Sequence, residues 1–161
     1  MNYFEDLKIG ERVVLGSYTF TAENIKAFAS RYDPQAFHLD EKAAKHSHFG
    51  ALCASGWQTA AASMRLIALT NQRELAARRE RGESVPKIGP SPGVRDLRWA
   101  KPVYVGDCIT YASEISELRA GRRAEFGLVI SQITGTNQNG ELVYSAQGSV
   151  FVERRVPEPA N

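Results

Sequence analysis

The chain is poor in the features that mark specialised protein classes. It has only two cysteines, Cys53 and Cys108. Neither belongs to a C-x-x-C pair, so both read as reduced packing residues, in buried helix and strand. A net charge of +2 over 161 residues is too small for a broad phosphate-neutralising surface, which argues against nucleic acid as a partner. No apolar run reaches the length of a membrane span. The start, MNYFEDLKIGE, is acidic and mixed, whereas a secretory leader would begin basic and turn apolar. A protein of the reducing cytoplasm is expected, acting on neither nucleic acid nor membrane. There is no nucleophile elbow of the G-x-S-x-G type, and Gly82, Gly89 and Gly93 form no phosphate cradle. The length suits one well-filled core and is short for two. One domain is expected over residues 1–155, with a frayed, proline-bearing tail at 156–161.

What is present reads as a few elements. Residues 11–20, ERVVLGSYTF, are β-branched and aromatic and predict a strand. Ile25, Phe28, Ala29 and Tyr32 recur at helical offsets behind Thr21, its N-cap. Pro34 ends that helix, since the residue before a proline is pushed out of the helical region; Asp33 is then extended or in a turn. Asp40 caps a short second helix. From Ala51 to Leu69 nearly every side is apolar or small, which predicts an enclosed helix. Residues 71–92 begin helical and then turn charged and rich in Gly and Pro. They predict an exposed excursion near a site entrance, and their basic excess has a solvated loop as its first explanation and a phosphate-bearing substrate tail as its second. Four alternating segments follow: Val94–Trp99, Asp107–Leu118, one through Ala124–Ile130 and one through Leu142–Val152. Asn137–Gly140 is a hairpin turn between the last two. The class is α+β, a curved antiparallel sheet wrapped around one buried helix.

The chemistry concentrates between Tyr32 and Trp57. Asp33 stands five residues before His38, and Ser55-Gly56 opens the apolar helix. A carboxylate and an imidazole can share one water molecule, and an unperturbed imidazole, with a pKa of about 6.5, exchanges protons near neutral pH. Backbone N–H groups at a helix start can hold developing negative charge. The set suits adding water to, or removing it from, a double bond conjugated to a carbonyl. Each residue has a plainer reading. Asp33 can cap a turn beginning at Pro34, His38 can be an ordinary buried histidine, Gly56 a close-packing glycine, and Ser55 a helix cap instead of a group that orients water or substrate. His46 and His48 lack the three-ligand company a catalytic zinc needs and read as surface residues. Arg98 and Trp99 read as packing at a strand end.

Together YFEDLKIGERV, TAENIKAFASRYDPQAFHLDEKAA, FGALCASG and SPGVRDLRWAKPVYVGD resemble the MaoC-like dehydratases, the hot-dog-fold group that includes the (R)-specific enoyl-CoA hydratases. The Asp-x4-His-x-Asp core is the specific part. The resemblance implies a hot-dog sheet around a central helix, a homodimer or larger assembly, and Asp33 and His38 as the water-handling pair. It places Gly56, with Ser55 beside it, at the oxyanion and substrate contact. Gln35 stands where many hydratases have asparagine, as a possible assisting amide, Pro34 falls one place early, and Ser55 replaces a histidine common before the glycine. The implied activity interconverts an enoyl thioester and its 3-hydroxyacyl counterpart, with no metal and no cofactor beyond the substrate's carrier, coenzyme A. The competing readings are a thioesterase on the same fold, a dehydratase for another acid ester and a non-catalytic acyl-binding subunit. The thioesterase is disfavoured by the absence of Asp and Glu from Ala51–Leu69.

Overall fold

The computed structural model describes residues 2–121 and 123–155, so the expected tail lies outside the described residues. After a single 3₁₀ turn at Phe4–Asp6 the chain enters β1 (Arg12–Thr19) and then α1 (Ala22–Tyr32). A reciprocal capping box starts α1. The Thr21 hydroxyl accepts from the Asn24 N–H and the Asn24 side chain accepts from the Thr21 N–H, both at 3.2 Å. The helix buries Ile25 and Ala29. It ends as Pro34 requires, with Asp33 at φ −152°, ψ 69°. A four-residue helix, α2 (Ala36–Leu39), follows and is too short to announce itself by periodicity. Asp40 then caps α3 (Glu41–Lys45), accepting from the Ala43 N–H at 2.8 Å.

The long helix differs from expectation at its start. Residues 51–54 are not its first turn; they lie outside any helix, with Cys53 bridged to Tyr104 of the opposite segment. The helix α4 starts at Gly56, capped by Ser55, and continues to Glu80. The helical beginning expected of residues 71–92 is thus continuous with the buried helix, because Arg, Glu, Ala and Leu propagate a helix whether or not it is buried. The remaining loop is tied to the sheet end, where the Gly89 N–H donates to the Phe151 carbonyl at 2.8 Å and Ile88 bridges Val152. Enclosure is also one-sided. Gln58, Thr59, Ala62, Ser63 and Leu66 are buried, whereas Trp57 and Met64 are exposed. A sheet covering one flank of a helix leaves the other flank open.

That sheet has five antiparallel strands in the order β1-β3-β4-β5-β2, with β2 (Gly93–Trp99), β3 (Cys108–Ala120), β4 (Phe126–Thr136) and β5 (Leu142–Glu153). It is the hot-dog arrangement. Gly140, at φ 76°, closes the β4–β5 hairpin. The core lies between sheet and helices, with Phe20, Ile25, Ile109, Tyr111 and Val143 essentially without exposure. Each such aliphatic or aromatic side chain contributes about 1.5–3 kcal/mol by burial. Cys53 belongs to this core, while Cys108 at the start of β3 is only half-buried.

Two contacts fix α4 against the sheet. The Tyr111 hydroxyl donates to the Thr59 carbonyl at 3.0 Å, and burial pushes that phenol's pKa far up, so it stays a neutral donor. Farther along, Thr70 donates to the Leu15 carbonyl at 3.3 Å, at the β1 bulge beside Gly16. The first turn of α4 is thereby held in place.

Candidate active site

Asp33 sits where α1 has just ended, and its side chain turns inward. The Ser55 hydroxyl donates to its Oδ2 at 2.6 Å, and the Gln35 amide donates to its Oδ1 at 2.8 Å. These bonds rule out the simple capping role, since no backbone N–H of α2 donates to the carboxylate and Gln35 is the N-cap. Partial burial pushes the carboxyl upward. The Ser55 and Gln35 hydrogen bonds and the neighbouring His38 outweigh it, so the pKa lies below the ordinary carboxylate value. Asp33 is a carboxylate at neutral pH.

His38 is brought in by α2 and is 5% exposed. Its Nδ1 lies 2.7 Å from the Cys53 carbonyl. A carbonyl can only accept, so Nδ1 carries the hydrogen, and in that tautomer of the neutral imidazole the lone pair is at Nε2. That Nε2 is 3.5 Å from Asp33 Oδ2, a gap one water can close by bonding to both atoms. Phe37 and Phe49 flank the ring, at centroid distances of 4.5 and 6.5 Å. The sequence held no sign of the Cys53 carbonyl, because any residue could supply it. The Cys53 thiol, 3.8 Å from Nδ1, is pushed by burial to a pKa of about 11 and remains a thiol.

Ser55 and Gly56 form the cap and first residue of α4. Ser55 is fully buried, and its Oγ accepts from the Trp57 N–H at 3.2 Å while donating to Asp33. In this structure its hydrogen is held by Asp33, so the hydroxyl serves as the helix cap and as a donor to that carboxylate. Among the described residues none accepts from the Gly56 N–H. Gly56 is also a close-packing glycine: a Cβ there would lie 2.4 Å from the Trp99 indole. Trp99, at the end of β2, meets Trp57 edge-on at 5.2 Å. It packs at a strand end as expected, but against the helix start. The indole covers the flank of Gly56, whereas a first-turn N–H points along the helix axis.

The four candidates Asp33, His38, Ser55 and Gly56 thus meet at one place, with exposed Gln35 at its rim. His46 and His48 stay outside, exposed, with His46 Nδ1 donating to the Lys42 carbonyl at 2.6 Å. Arg98 is an exposed residue of β2. A cavity of about 420 Å³ lies between α4 and the sheet, lined among others by Met64, Ile67, Leu15, Ile115, Val129 and Ile133. A shallower one of about 410 Å³ lies near Lys45 and Tyr104. Neither is lined by Asp33, His38 or Gly56. The larger follows the helix face that begins at Gly56, since positions 56, 60, 64, 67 and 71 recur at helical spacing.

Comparison with known proteins agrees with this architecture. A family model described as "MaoC like domain" matches residues 6–136. A crystal structure of a MaoC-like dehydratase from Rhodospirillum rubrum is 35% identical, covers 97% of this chain and 99% of its own, and superposes with a TM-score of 0.80. An uncharacterised protein of Bacillus subtilis is 27% identical over 150 residues, 93% of this chain and 98% of that protein. The mesaconyl-CoA hydratase of Cereibacter sphaeroides is 34% identical over 86 residues, which span 49% of this chain and 25% of the hydratase.

Proposed function

The chain belongs to the MaoC-like domain family, and we propose that it interconverts a 2-enoyl thioester and its 3-hydroxyacyl counterpart by adding or removing water. The observation that carries the proposal is the 3.5 Å approach of Asp33 Oδ2 and His38 Nε2 beside the start of α4. A water held by both atoms attacks the β-carbon. Nε2 receives a proton from that water and returns one at the α-carbon, while the Asp33 carboxylate orients the water and stabilises the imidazolium. The thioester oxygen, which gains charge as the enolate forms, bonds to the Gly56 N–H at the positive end of α4. No redox step or second substrate enters this scheme, so the proposal includes no cofactor beyond the acyl carrier, coenzyme A. No described helix is long and apolar enough to cross a membrane, and a cytoplasmic place for the reaction is part of the same proposal.

The test is incubation of the purified protein with crotonyl-CoA. Loss of the conjugated thioester's ultraviolet absorbance without release of thiol supports the reading. Thiol release indicates a thioesterase, and no change over several acyl lengths indicates a binding module.

Two further parts of the proposal follow from the shape of the protein. From Gly56 to Met64 is eight positions on α4, about 12 Å of rise, so a tail leaving the carbonyl along that face reaches the 420 Å³ cavity. Ile67→Trp is expected to lower kcat/KM for a long enoyl chain about tenfold or more while leaving crotonyl-CoA nearly unaffected. Steady-state kinetics over an acyl series reads this out. The outer edge of β2 is paired by none of the described strands; exposed Val94 and Trp99 belong to that strand, and exposed Trp57 meets Trp99 edge-on. A second copy is the occupant we assign to it, giving a homodimer by strand pairing and apolar burial. Light scattering on a size-exclusion column is expected to return twice the chain mass.

A further inference from the structure

We propose that Ser55 is the positioning residue of this site: it joins the first turn of α4 to Asp33 and holds the carboxylate in the one orientation that faces His38. This rests on the water-handling role given to Asp33 above and deepens it. The relay has two links. The Trp57 N–H donates to Ser55 Oγ at 3.2 Å, and Ser55 Oγ donates to Asp33 Oδ2 at 2.6 Å. A hydroxyl that accepts on one side is polarised to donate on the other, and a short bond to a carboxylate is of the strong, charge-assisted kind. Ser55 is buried with no exposure, so solvent does not replace it. Gln35 reaches the other oxygen at 2.8 Å but is exposed, where water substitutes readily.

The geometry assigns each oxygen of Asp33. Oδ1 is taken by Gln35 at the surface, and Oδ2 is pinned by Ser55 on the side that also faces His38 Nε2. Without the hydroxyl the carboxylate swings about its last side-chain bond, and the shared-water geometry is lost. The groups acting on this carboxylate are Ser55 from the cap of α4, Gln35 from the linker and His38 from α2. Of these only His38 is itself titratable.

The plain alternative is that Ser55 only caps α4. Capping and positioning separate cleanly, because glycine caps a helix almost as well as serine whereas alanine does not. The experiment compares Ser55→Gly, Ser55→Ala and Gln35→Ala with the wild type. It follows the Asp33 side-chain carboxyl by ¹³C NMR titration and records kcat/KM against pH with crotonyl-CoA. Ser55→Gly and Ser55→Ala are both expected to raise the Asp33 midpoint by about one pH unit and to lower kcat about tenfold, with Gln35→Ala showing a clearly smaller shift. A Ser55→Gly protein with the wild-type Asp33 midpoint overturns the assignment and leaves capping as the whole role. The NMR arm reads the carboxylate without turnover. If the midpoint rises in both serine variants but the wild type turns over no enoyl thioester, the hydratase proposal falls and the link between Ser55 and Asp33 stands.

Discussion

Asp33→Asn is expected to lower turnover by about 10²–10⁴-fold, the range lost with a positioned acid–base group, while the protein folds as before. The substitution keeps the size of the side chain. Its amide oxygen still accepts from Gln35, and its NH₂ can donate to Ser55 Oγ, so the local hydrogen bonds are redrawn and not abandoned. What disappears is the charge that faces His38 across 3.5 Å and that the proposal uses to orient the water. Rates with crotonyl-CoA and a thermal melt separate the two effects: a normal melt with lost turnover is the expected pair. Near-normal turnover would remove Asp33 from the chemistry.

The same carboxylate sets an acid limit. Its pKa is lowered in the folded protein, so the stabilisation it supplies is complete above the unfolded value of about 3.9 and is lost as pH falls through the lower folded value. In the wild type, inactivation caused by protonating Asp33 therefore falls below the ordinary carboxylate range. The Asp33→Asn protein lacks that contribution to acid unfolding, and acid titrations of the two proteins followed by circular dichroism should diverge there.

Gly56→Val carries the second large effect. Even the first added carbon would lie 2.4 Å from the Trp99 ring, far inside contact distance. Trp99 is 45% exposed, so the indole can swing outward and the chain can still fold, with a stability loss of about 1–3 kcal/mol for overpacking. Activity is expected to fall much further, because the branched side chain and the displaced ring crowd the Gly56 N–H, the donor proposed for the thioester oxygen. Loss of such a donor costs about 10²–10³ in rate. The discriminating measurement is kcat beside the melting temperature in Gly56→Val and in Trp99→Ala, which removes the clash partner. A double variant that recovers stability but not kcat assigns the defect to access at the helix start.

Much of this arrangement is legible in the residues. Thr21, Pro34 and Asp40 act through their immediate neighbours, and the capping box, the helix stop and the second cap form where those residue types stand. The alternating strands declare which side chains face the core. Legibility fails where neighbours in space decide. Ala51-Leu52-Cys53-Ala54 has the composition of a helix, yet it is not one, because the Ala54 N–H bonds to the Val103 carbonyl at 2.7 Å and Cys53 bridges Tyr104. The all-apolar look of α4 suggests complete enclosure, but the exposed flank is apolar too. One sequence cannot separate a flank that meets the sheet from an apolar flank that stays exposed.

At the site the division is similar. The five-residue spacing of Asp33 and His38 hints at their meeting, while the oxygen that selects the tautomer of His38 belongs to the Cys53 backbone and leaves no mark on composition. Ser55 is visible as a cap. Its second partner, Asp33, is 22 positions away and becomes visible only when α1 and α4 are brought side by side. Trp99 over Gly56 is likewise a long-range contact between the end of one strand and the start of a helix.

Trp57 and Trp99 are the chain's only two tryptophans, and both stand half in solvent at the mouth of the site, in edge-on contact. Nearly all the intrinsic fluorescence of the protein therefore originates within a few ångströms of Gly56. A molecule settling there, or another chain closing over the indoles, shifts the emission to the blue and alters its intensity. The protein thus carries its own unlabelled optical gauge of occupancy.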